Sequence, residues 1–321
     1  MTGNNALDIS VVVPTYNRRD IVRRSLETLF AQDYPSSRFE IIVVVDGSSD
    51  GTAEALKELR PDCHFRVIEQ ENRGLAGARN TGYGEAKSDL VLFLDDDMHC
   101  DPGLVSAHVR AHKRFDAAVA FGALFLSLDS KANLASECFK REIGAFHLRH
   151  LRNPQVSWQL TECVFSNSSL PREMLVAAGG FDEQFRMRED LEMGIRLQKA
   201  GVRMEYVRDA VARQYYDKTS ADLLADAERF AVADVSLARK HPEEMIEGHL
   251  LWLESQRGWK KSLLAMMARS PMLEKSLLTP WCALGERFFG IAPLRYAGVR
   301  ALQMRRRIRW LRVTDQLTNS C

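Results

Sequence analysis

The sequence predicts an α/β fold, with a mostly parallel central sheet that has helices on both faces, followed by a helical C-terminal subdomain. Three observations predict it. Short apolar segments alternate with segments of helical period over residues 9–94. The apolar segments are hydrophobic at nearly every position, which is typical of strands buried on both faces of a parallel sheet. From residue 219 onward the pattern is helical.

The first two strand and helix pairs lie within residues 9–59. The β-branched run at residues 9–13 predicts a strand that ends at Pro14, and apolar side chains at helical spacing predict a helix over residues 19–31. The same order then recurs, with an apolar strand at 39–45, a turn cluster at 46–51 and a helix at 52–59.

Two further strands complete the predicted sheet. Residues 64–69 predict a third strand, which leads into the glycine-rich stretch 72–80 and a helix that ends at Ala86. The apolar run at residues 90–94 predicts a fourth strand. Ligands of such sheets bind at the carboxyl ends of the strands, so the residues that follow the strands are the candidates for function.

Polar clusters follow three of the four strands. They are Pro14-Thr15-Tyr16-Asn17, the turn that begins at Asp46, and Asp95-Asp96-Asp97. Three adjacent carboxylates after a buried strand repel one another unless a positive charge lies beside them. A divalent cation that also binds ligand phosphates would supply that charge. The alternative for the last cluster is a solvated turn that caps a helix.

Six segments resemble the serial motifs of the family 2 inverting glycosyltransferases with the GT-A fold. In order they are residues 11–17, 44–52, 72–80, 94–97, 179–183 and 188–196, and the resemblance covers about residues 8–216. It implies a GT-A (Rossmann-like) catalytic domain at residues 1–218 that binds a nucleotide-sugar. The basic, mainly helical subdomain would then occupy residues 219–321.

The resemblance implies a donor site in the first three motifs. Tyr16, within the loop of Pro14, Thr15 and Asn17, would stack on the nucleotide base, and Asp46 would accept a hydrogen bond from the base edge, usually uracil in this family. Arg73 and Arg79 flank the glycine-rich loop and would approach the donor phosphates. The alternative for one of these two arginines is an ion pair with a nearby acid.

A metal site is implied at the fourth motif. Asp95 would serve the ribose or the water shell of the metal, and Asp97 would bind Mn²⁺ or Mg²⁺ and thereby the diphosphate. Asp96 would point away from the donor or support the loop. Many relatives carry a histidine ligand where this chain has Gln214, whose amide oxygen would bind the metal more loosely or contact phosphate instead. Asn167 matches an asparagine that contacts the donor sugar or the acceptor.

An inverting transfer also needs a carboxylate to deprotonate the acceptor hydroxyl, because the sugar moves in a single in-line displacement. By resemblance that base is Asp190, with Glu189 as the alternative. Both residues begin a predicted helix, so the non-catalytic interpretation of this pair is helix capping. The segment at residues 123–159, with a helix expected over 133–151, lies where relatives shape the acceptor site.

The charges are distributed unevenly along the chain. Lys and Arg number 44 and Asp and Glu 43 in total, yet residues 250–321 carry 13 basic residues and only 4 acids. A basic, aromatic helical segment suits an anionic membrane surface, and it equally suits a cap on the acidic catalytic body or a homodimer contact. RNA binding is disfavoured because no RNA-binding motif accompanies the basic run.

The sequence therefore predicts a metal-dependent inverting glycosyltransferase that moves a sugar from a UDP-sugar to a hydroxyl of a glycan, lipid-linked or protein-linked acceptor. We expect it in the cytoplasm, at the inner face of the membrane, in the synthesis of a bacterial-type surface glycan. One rival is a sugar nucleotidyltransferase, which would need a glycine-rich loop after the first strand. The other is a non-catalytic nucleotide-sugar-binding or membrane-scaffold protein.

Overall fold

The computed structural model describes residues 7–115, 118–153, 156–158, 162–243 and 258–319. The chain forms two compact units. The α/β unit comprises residues 1–128 and 144–215, and the helical unit comprises residues 129–143 and 216–321. The helical unit thus includes an internal segment as well as the predicted C-terminal subdomain. The sequence also predicts a helix over residues 245–259, which falls almost entirely outside the described residues.

An eight-stranded mixed sheet forms the centre of the α/β unit. The strands run in the order β3-β2-β1-β4-β7-β6-β8-β5, and the first four of these are parallel neighbours, as predicted. The strand bounds are β1 Ile9–Thr15, β2 Phe39–Asp46, β3 His64–Gln70, β4 Leu90–Leu94, β5 Met98–Cys100, β6 Ala118–Leu126, β7 Asn167–Pro171 and β8 Arg203–Gln214. Because β1, β2 and β4 end side by side, the polar residues that follow them meet at one edge of the sheet, which we call the rim.

Helices cover both faces of this sheet. Every residue of β1 and β2 is buried, and alternate side chains pack on opposite faces, Val11 and Val13 in one apolar cluster and Val12 in another. The helices associated with this part of the chain are α1 Arg19–Phe30, α2 Thr52–Lys57, α3 Gly74–Gly84, α4 Leu104–Arg114, α5 Leu134–Arg152, α6 Arg172–Ala177 and α7 Glu189–Lys199. The predicted α/β fold with a two-sided core is confirmed.

The last strands bring a distant part of the chain to the rim. β8 pairs with β6 in parallel, and the register shifts between Gly122 and Ala123. The C-terminal end of β8 then pairs with β5, which sets Gln214 opposite Met98. Met98 directly follows the three aspartates, so the sheet itself carries Gln214 to their side.

The helical unit is built from long helices, as the sequence predicts. They are α8 Ser220–Lys240, α9 Trp259–Arg269, α10 Pro271–Arg287 and α11 Ala292–Asn319. Thr219 and Asp222 form a capping box at the start of α8. A proline inside a helical segment predicts an interruption, and the sequence predicts one at Pro280. This prediction is wrong, because α10 continues through Pro280. Pro280 and Ser276, whose carbonyl loses its partner, are both exposed to solvent, so water can satisfy that carbonyl.

The arginine run near the C-terminus turns toward the interior of the helical unit. Glu274 is completely buried and accepts hydrogen bonds from Arg305, at 2.8 Å, and Arg312, at 3.0 Å. Burial alone would raise the pKa of Glu274, but these two arginines outweigh it and hold the pKa below its usual value. Arg306 and Arg309 pair with Glu142 and Glu228. Much of the basic charge is therefore used within the unit.

We predict that Glu274→Ala destabilises the protein by about 3–5 kcal/mol, because it leaves two poorly exposed guanidinium groups without their shared carboxylate. Glu142→Ala removes the partner of Arg306 at a half-exposed site, so its cost stays below about 1 kcal/mol. Chemical denaturation followed by circular dichroism measures both. Equal effects of the two substitutions would contradict a central role for Glu274.

Candidate functional site

A cleft of about 420 Å³ opens at the rim. We call it the rim cleft. The residues that line it are Pro14, Thr15, Tyr16, Arg18, Asp46, Asn72, Gly74, Leu75, Ala78, Asp95, Asp96 and Asp97. Seven of these were candidates from the sequence. The structure brings them together because they follow β1, β2 and β4, while α3 closes the opposite side.

Asp46 fixes the glycine-rich loop beside the cleft. Its carboxylate accepts hydrogen bonds from the backbone N–H of Arg73 and Gly74, each at 2.8 Å, and from the side chain of Gln70 at 2.7 Å. Gly47, with φ of +75°, lets the two loops approach: a Cβ there would lie 2.8 Å from the backbone nitrogen of Asn72. Asp46 is thus both a cleft residue and the anchor of α3.

The loop after β1 supplies one aromatic side chain and one structural amide. Tyr16 lines the rim cleft and half of it is exposed. Asn17 has a φ of +50° and accepts a hydrogen bond from the backbone N–H of Ser49 at 2.8 Å. The structure therefore places Asn17 between the β1 loop and the β2 turn, not among the residues that line the cleft.

Asp96 and Asp97 are nearly buried and share one guanidinium group. Arg18 Nη1 lies 2.7 Å from Asp96 Oδ1, and both of its terminal nitrogens lie 3.2 Å from Asp97 Oδ2. Thr15 donates to the other oxygen of Asp96 at 2.7 Å. Burial raises the pKa of both aspartates, and Arg18 opposes that shift. Arg18 is not among the site residues predicted from the sequence, although it directly follows the first motif.

The donor set at the rim fits a hard divalent cation whose remaining ligands come from a bound phosphate. Asp95 and Asp97 offer carboxylate oxygens to the cleft, and Mg²⁺ typically uses one or two carboxylates together with substrate phosphates. Among the described residues, no group of three histidine, cysteine or acidic side chains is arranged to hold a metal. Gln214 donates its amide N–H to both oxygens of Asp97, each at 3.2 Å.

The two arginines of the glycine-rich segment form ion pairs. Arg79 is fully buried and joins Asp95, at 3.0 Å, to Glu189, at 2.9 Å. Arg73 is half-exposed and pairs with Glu183, with Nε 3.1 Å from a carboxylate oxygen. In this structure both arginines therefore form ion pairs with nearby acids, which was the alternative to a contact with the donor phosphates. Arg79 also connects the rim to the start of α7.

Glu189 and Asp190 begin α7. Its first residue follows Arg188, whose φ of +68° is unusual for a residue with a side chain. Asp190 Oδ1 accepts a hydrogen bond from the backbone N–H of Leu191 at 2.8 Å, and the residue remains partly exposed. Burial raises the pKa of both carboxyl groups, and the positive charge of Arg79 opposes this rise in each of them. Glu189 is more buried and is held by Arg79 itself.

Asn167 does not reach the rim cleft. It is almost fully buried in β7, where its amide group donates to the backbone oxygens of Ala123 and Ala210 at 3.2 and 2.9 Å. Its side-chain oxygen contacts His108 Nε2 at 3.0 Å. The two carbonyls belong to β6 and β8, and His108 belongs to α4, so in this geometry Asn167 organises the strands around β7 and joins them to α4.

The loop at Gly179 and Gly180 is tied to α3 and α7. Asn80 donates to the carbonyl of Phe181 and accepts from its N–H, both at 2.8 Å. Arg196 donates to the carbonyl of Gly180 at 2.8 Å and is held by the buried Glu192. A Cβ on Gly180 would lie 2.6 Å from the hydroxyl of Tyr83, and the φ of +74° there also disfavours residues with a side chain. The loop is therefore anchored on both sides by side-chain hydrogen bonds.

Curated proteins similar to this chain carry transferase names. The chain is 29% identical to validoxylamine A glucosyltransferase of Streptomyces hygroscopicus subsp. jinggangensis, over an alignment that covers 78% of this chain and 64% of that protein. It is 26% identical to the pre-mycofactocin glycosyltransferase of Mycobacterium tuberculosis (strain CDC 1551 / Oshkosh), covering 76% and 50%. The chain spans about 60–64% of the length of the first three such relatives.

Solved structures share the fold at lower identity. The mannosyltransferase PcManGT from Pyrobaculum calidifontis, in complex with GDP-Man and Mn²⁺, has a TM-score of 0.63 and 20% identity, covering 97% of this chain and 88% of its own. S. aureus TarS 1-349, in complex with UDP-GlcNAc, has a TM-score of 0.53 and 16% identity, covering 97% and 92%. These likenesses show the GT-A type of fold.

The sequence model described as "Glycosyl transferase family 2" matches residues 10–176, which are just over half of the chain. This range contains the rim cleft and the three strands whose ends form it. Fold, cleft and matched sequence agree, and the chain belongs to glycosyl transferase family 2.

Proposed function

We propose that this protein is a metal-dependent inverting glycosyltransferase that moves a sugar from a nucleotide-sugar to a hydroxyl group of a glycan or glycoconjugate. The observation that supports it most directly is the rim cleft, where Tyr16, Asp46 and the carboxylates of Asp95 and Asp97 line one cavity. An aromatic face, an acceptor for a base edge and a set of metal-binding oxygens are what a nucleotide diphosphate sugar requires.

The donor is proposed to be a UDP-sugar, with its base on Tyr16 and its base edge toward Asp46. The neighbouring structures bind GDP-Man in one case and UDP-GlcNAc in the other. Uracil and guanine both present N–H donors to a carboxylate, so Asp46 suits either base. A screen of UDP- and GDP-sugars is therefore the direct test of the donor.

Asp97 and Asp95 would hold Mn²⁺ or Mg²⁺, and Gln214 would orient Asp97 through its amide N–H. A divalent cation there would stabilise the negative charge that develops on the departing diphosphate. The neighbouring mannosyltransferase structure contains Mn²⁺. Arg79 would keep Asp95 in place while pairing with Glu189 on its other side.

Asp190 is the better candidate for the base than Glu189. Glu189 is held by Arg79 at 2.9 Å and is almost fully buried, whereas Asp190 is partly exposed and has one oxygen fixed by a backbone N–H. A fixed carboxylate with a free oxygen is suited to take the proton of the acceptor hydroxyl. The acceptor itself is proposed to be a glycan, lipid-linked or protein-linked, in the synthesis of a surface glycan.

Membrane contact is proposed at α10 and not at the arginine run. Exposed apolar side chains recur along α10 and just beyond it at helical spacing, namely Leu277, Trp281, Leu284 and Phe288. The exposed basic residues nearby in sequence are Lys260, Arg269, Lys275 and Arg287, while the only exposed acid between residues 258 and 291 is Glu286. A bilayer with anionic lipids matches both features, whereas two copies face to face would bring like charges together. Across the described residues, no helix is both long and apolar enough to cross a membrane.

We predict that Asp190→Asn lowers kcat by about 10²- to 10⁴-fold, because general base catalysis contributes that much, while the Kd for the nucleotide stays within a few-fold of wild type. Glu189→Gln tests the alternative base, and Asp209→Asn is the exposed control. Turnover of UDP- and GDP-sugars with Mn²⁺ or Mg²⁺, and titration of UDP and GDP, provide the measurements. If Asp190→Asn retains wild-type turnover, or no donor is bound, the proposal fails.

The pH dependence of kcat/KM follows from the raised pKa of Asp190. The base must be ionised, so activity is low when Asp190 is protonated and rises as the pH increases through its raised pKa. We expect the acidic limb of the profile to lie above the ordinary aspartate value of about 3.9. An acidic limb at or below that value would argue against Asp190 as the base.

We also predict that Trp281→Glu combined with Leu284→Glu reduces sedimentation of the protein with phosphatidylglycerol vesicles by about tenfold or more. Thr279→Glu with Ser276→Glu adds the same charge to other exposed positions of α10 and is expected to have a smaller effect. Light scattering during gel filtration checks for a dimer. A dimer that the Trp281 and Leu284 substitutions dissociate, or no sedimentation of wild type, would contradict the membrane proposal.

A further inference from the structure

Arg18 occupies the position at the rim where a cation is electrostatically required. Asp96 and Asp97 have side chains that are only 7% and 9% exposed, and one guanidinium group touches both. The other side chains that hydrogen-bond this pair, Thr15 and Gln214, are neutral. Two adjacent buried carboxylates are costly without a positive partner. Arg18 therefore supplies, within the chain, a charge that a metal ion would otherwise provide.

The two aspartates are not equally available to a metal. Both oxygens of Asp96 are engaged, Oδ2 by Thr15 and Oδ1 by Arg18, and Ser25 holds its backbone carbonyl at 2.7 Å. Both oxygens of Asp97 are engaged as well, but by longer contacts. Gln214 donates to each oxygen at 3.2 Å, and Arg18 shares Oδ2 at 3.2 Å, which is longer than a strong charged hydrogen bond. Asp97 is thus the carboxylate that can change partners.

A divalent cation on Asp97 would lie close to the Arg18 guanidinium group. Two positive charges that share one carboxylate repel each other, so the metal must weaken the Arg18–Asp97 contact in order to bind. A diphosphate changes this balance, because guanidinium groups bind phosphate oxygens in a bidentate manner and phosphates also coordinate the metal. The side chain of Arg18 is 32% exposed and already lines the rim cleft.

We propose that Arg18 is the counter-ion of Asp97 in the donor-free protein, and that it couples metal binding to donor binding. When the diphosphate enters, Arg18 moves from Asp97 to the phosphates, and Asp97 becomes available to the cation. The inference rests on the proposed function, since it assumes a diphosphate donor and a divalent cation. Arg18 acts here as a positioning residue, because its effect on the metal passes through Asp97.

The coupling has a thermodynamic signature. If the diphosphate tightens Mn²⁺ binding by some factor, Mn²⁺ tightens diphosphate binding by the same factor. Removing the charge of Arg18 makes Asp97 available before the nucleotide binds. Mn²⁺ then binds more tightly in the absence of nucleotide, and the nucleotide increases the Mn²⁺ affinity by a smaller factor. A purely structural arginine would weaken Mn²⁺ binding when removed, because the carboxylates would lose their arrangement.

The test is a titration of the full-length protein with Mn²⁺, with free Mn²⁺ counted by electron paramagnetic resonance, in the absence and presence of saturating UDP or GDP. Without nucleotide, we expect Arg18→Gln to bind Mn²⁺ about tenfold more tightly than wild type, and the enhancement by nucleotide to fall by a similar factor. Arg19→Gln is the matched control. It removes an exposed arginine at the next position, which pairs with Asp20, and is expected to behave as wild type.

A second measurement covers the case in which Arg18→Gln is less stable than wild type. It is the shift in melting temperature that Mn²⁺ causes in each protein. We expect Mn²⁺ to raise the melting temperature of Arg18→Gln more than that of wild type, whatever the starting values. Arg18→Lys, which keeps the charge, should stay near wild type in the titration. Mn²⁺ binding by Arg18→Gln that equals or falls below wild type, or no binding to wild type even with nucleotide, overturns the inference.

These outcomes separate the inference from the proposed function. Tighter Mn²⁺ binding by Arg18→Gln together with no turnover of any donor would retain the role of Arg18 and reject the transferase. Donor turnover that depends on Asp190, with unchanged Mn²⁺ binding in Arg18→Gln, would retain the transferase and reject the coupling.

Discussion

The buried ion pairs of Arg79 determine how the α/β unit assembles its site. A fully buried guanidinium group is tolerated only when carboxylates surround it, and Arg79 meets Asp95 on one side and Glu189 on the other. Asp95 comes from the end of β4, and Glu189 from the start of α7, almost a hundred residues later in the chain. One side chain thereby fixes the distance between the carboxylates of the rim and the acids of α7. The other site residues are arranged around Asp95 and Glu189, which Arg79 holds in place.

The same electrostatic constraint explains why the rim is rich in arginine as well as aspartate. Five acids lie at the rim and the start of α7, most of them buried, and burial raises the pKa of four of them. Arg79 stabilises one group of these acids and Arg18 the other. The side chain of Arg79 is almost completely buried and is a structural partner of Asp95 and Glu189, whereas the side chain of Arg18 faces the cleft. The difference in exposure, rather than in charge, distinguishes the structural arginine from the one that we propose to change partners.

The sequence predicted the strands well because their signal is local. Nearly continuous apolar runs such as residues 39–45 favour burial on both faces of a sheet, and their ends place the polar clusters at one edge. Contacts between distant residues were harder to predict. Asn167 lies in a strand that pairs antiparallel between β4 and β6, and no local pattern indicates that its amide group is used up by carbonyls of the sheet.

Charge patterns were the least reliable guide. The arginine run at 305–312 has the composition of a surface that attracts anions, but α11 presents two of these arginines to Glu274, a single buried acid 31 and 38 residues earlier. Helical period alone does not reveal which face of a basic helix meets an acid. Arg18 was missed for the complementary reason: its partners lie 78 and 79 residues away.

The tight approach at Gly47 limits how the nucleotide preference of this protein can be altered. A side chain at this position would collide with the backbone of Asn72, and the backbone there already has a φ of +75°. In the proposed binding mode Asp46 meets the base, and the loop that carries it is held by the close backbone approach at Gly47. Changes in base preference, whether by evolution or in a mutant library, are then expected at the side chain of Tyr16, which lines the rim cleft, with Gly47 kept constant.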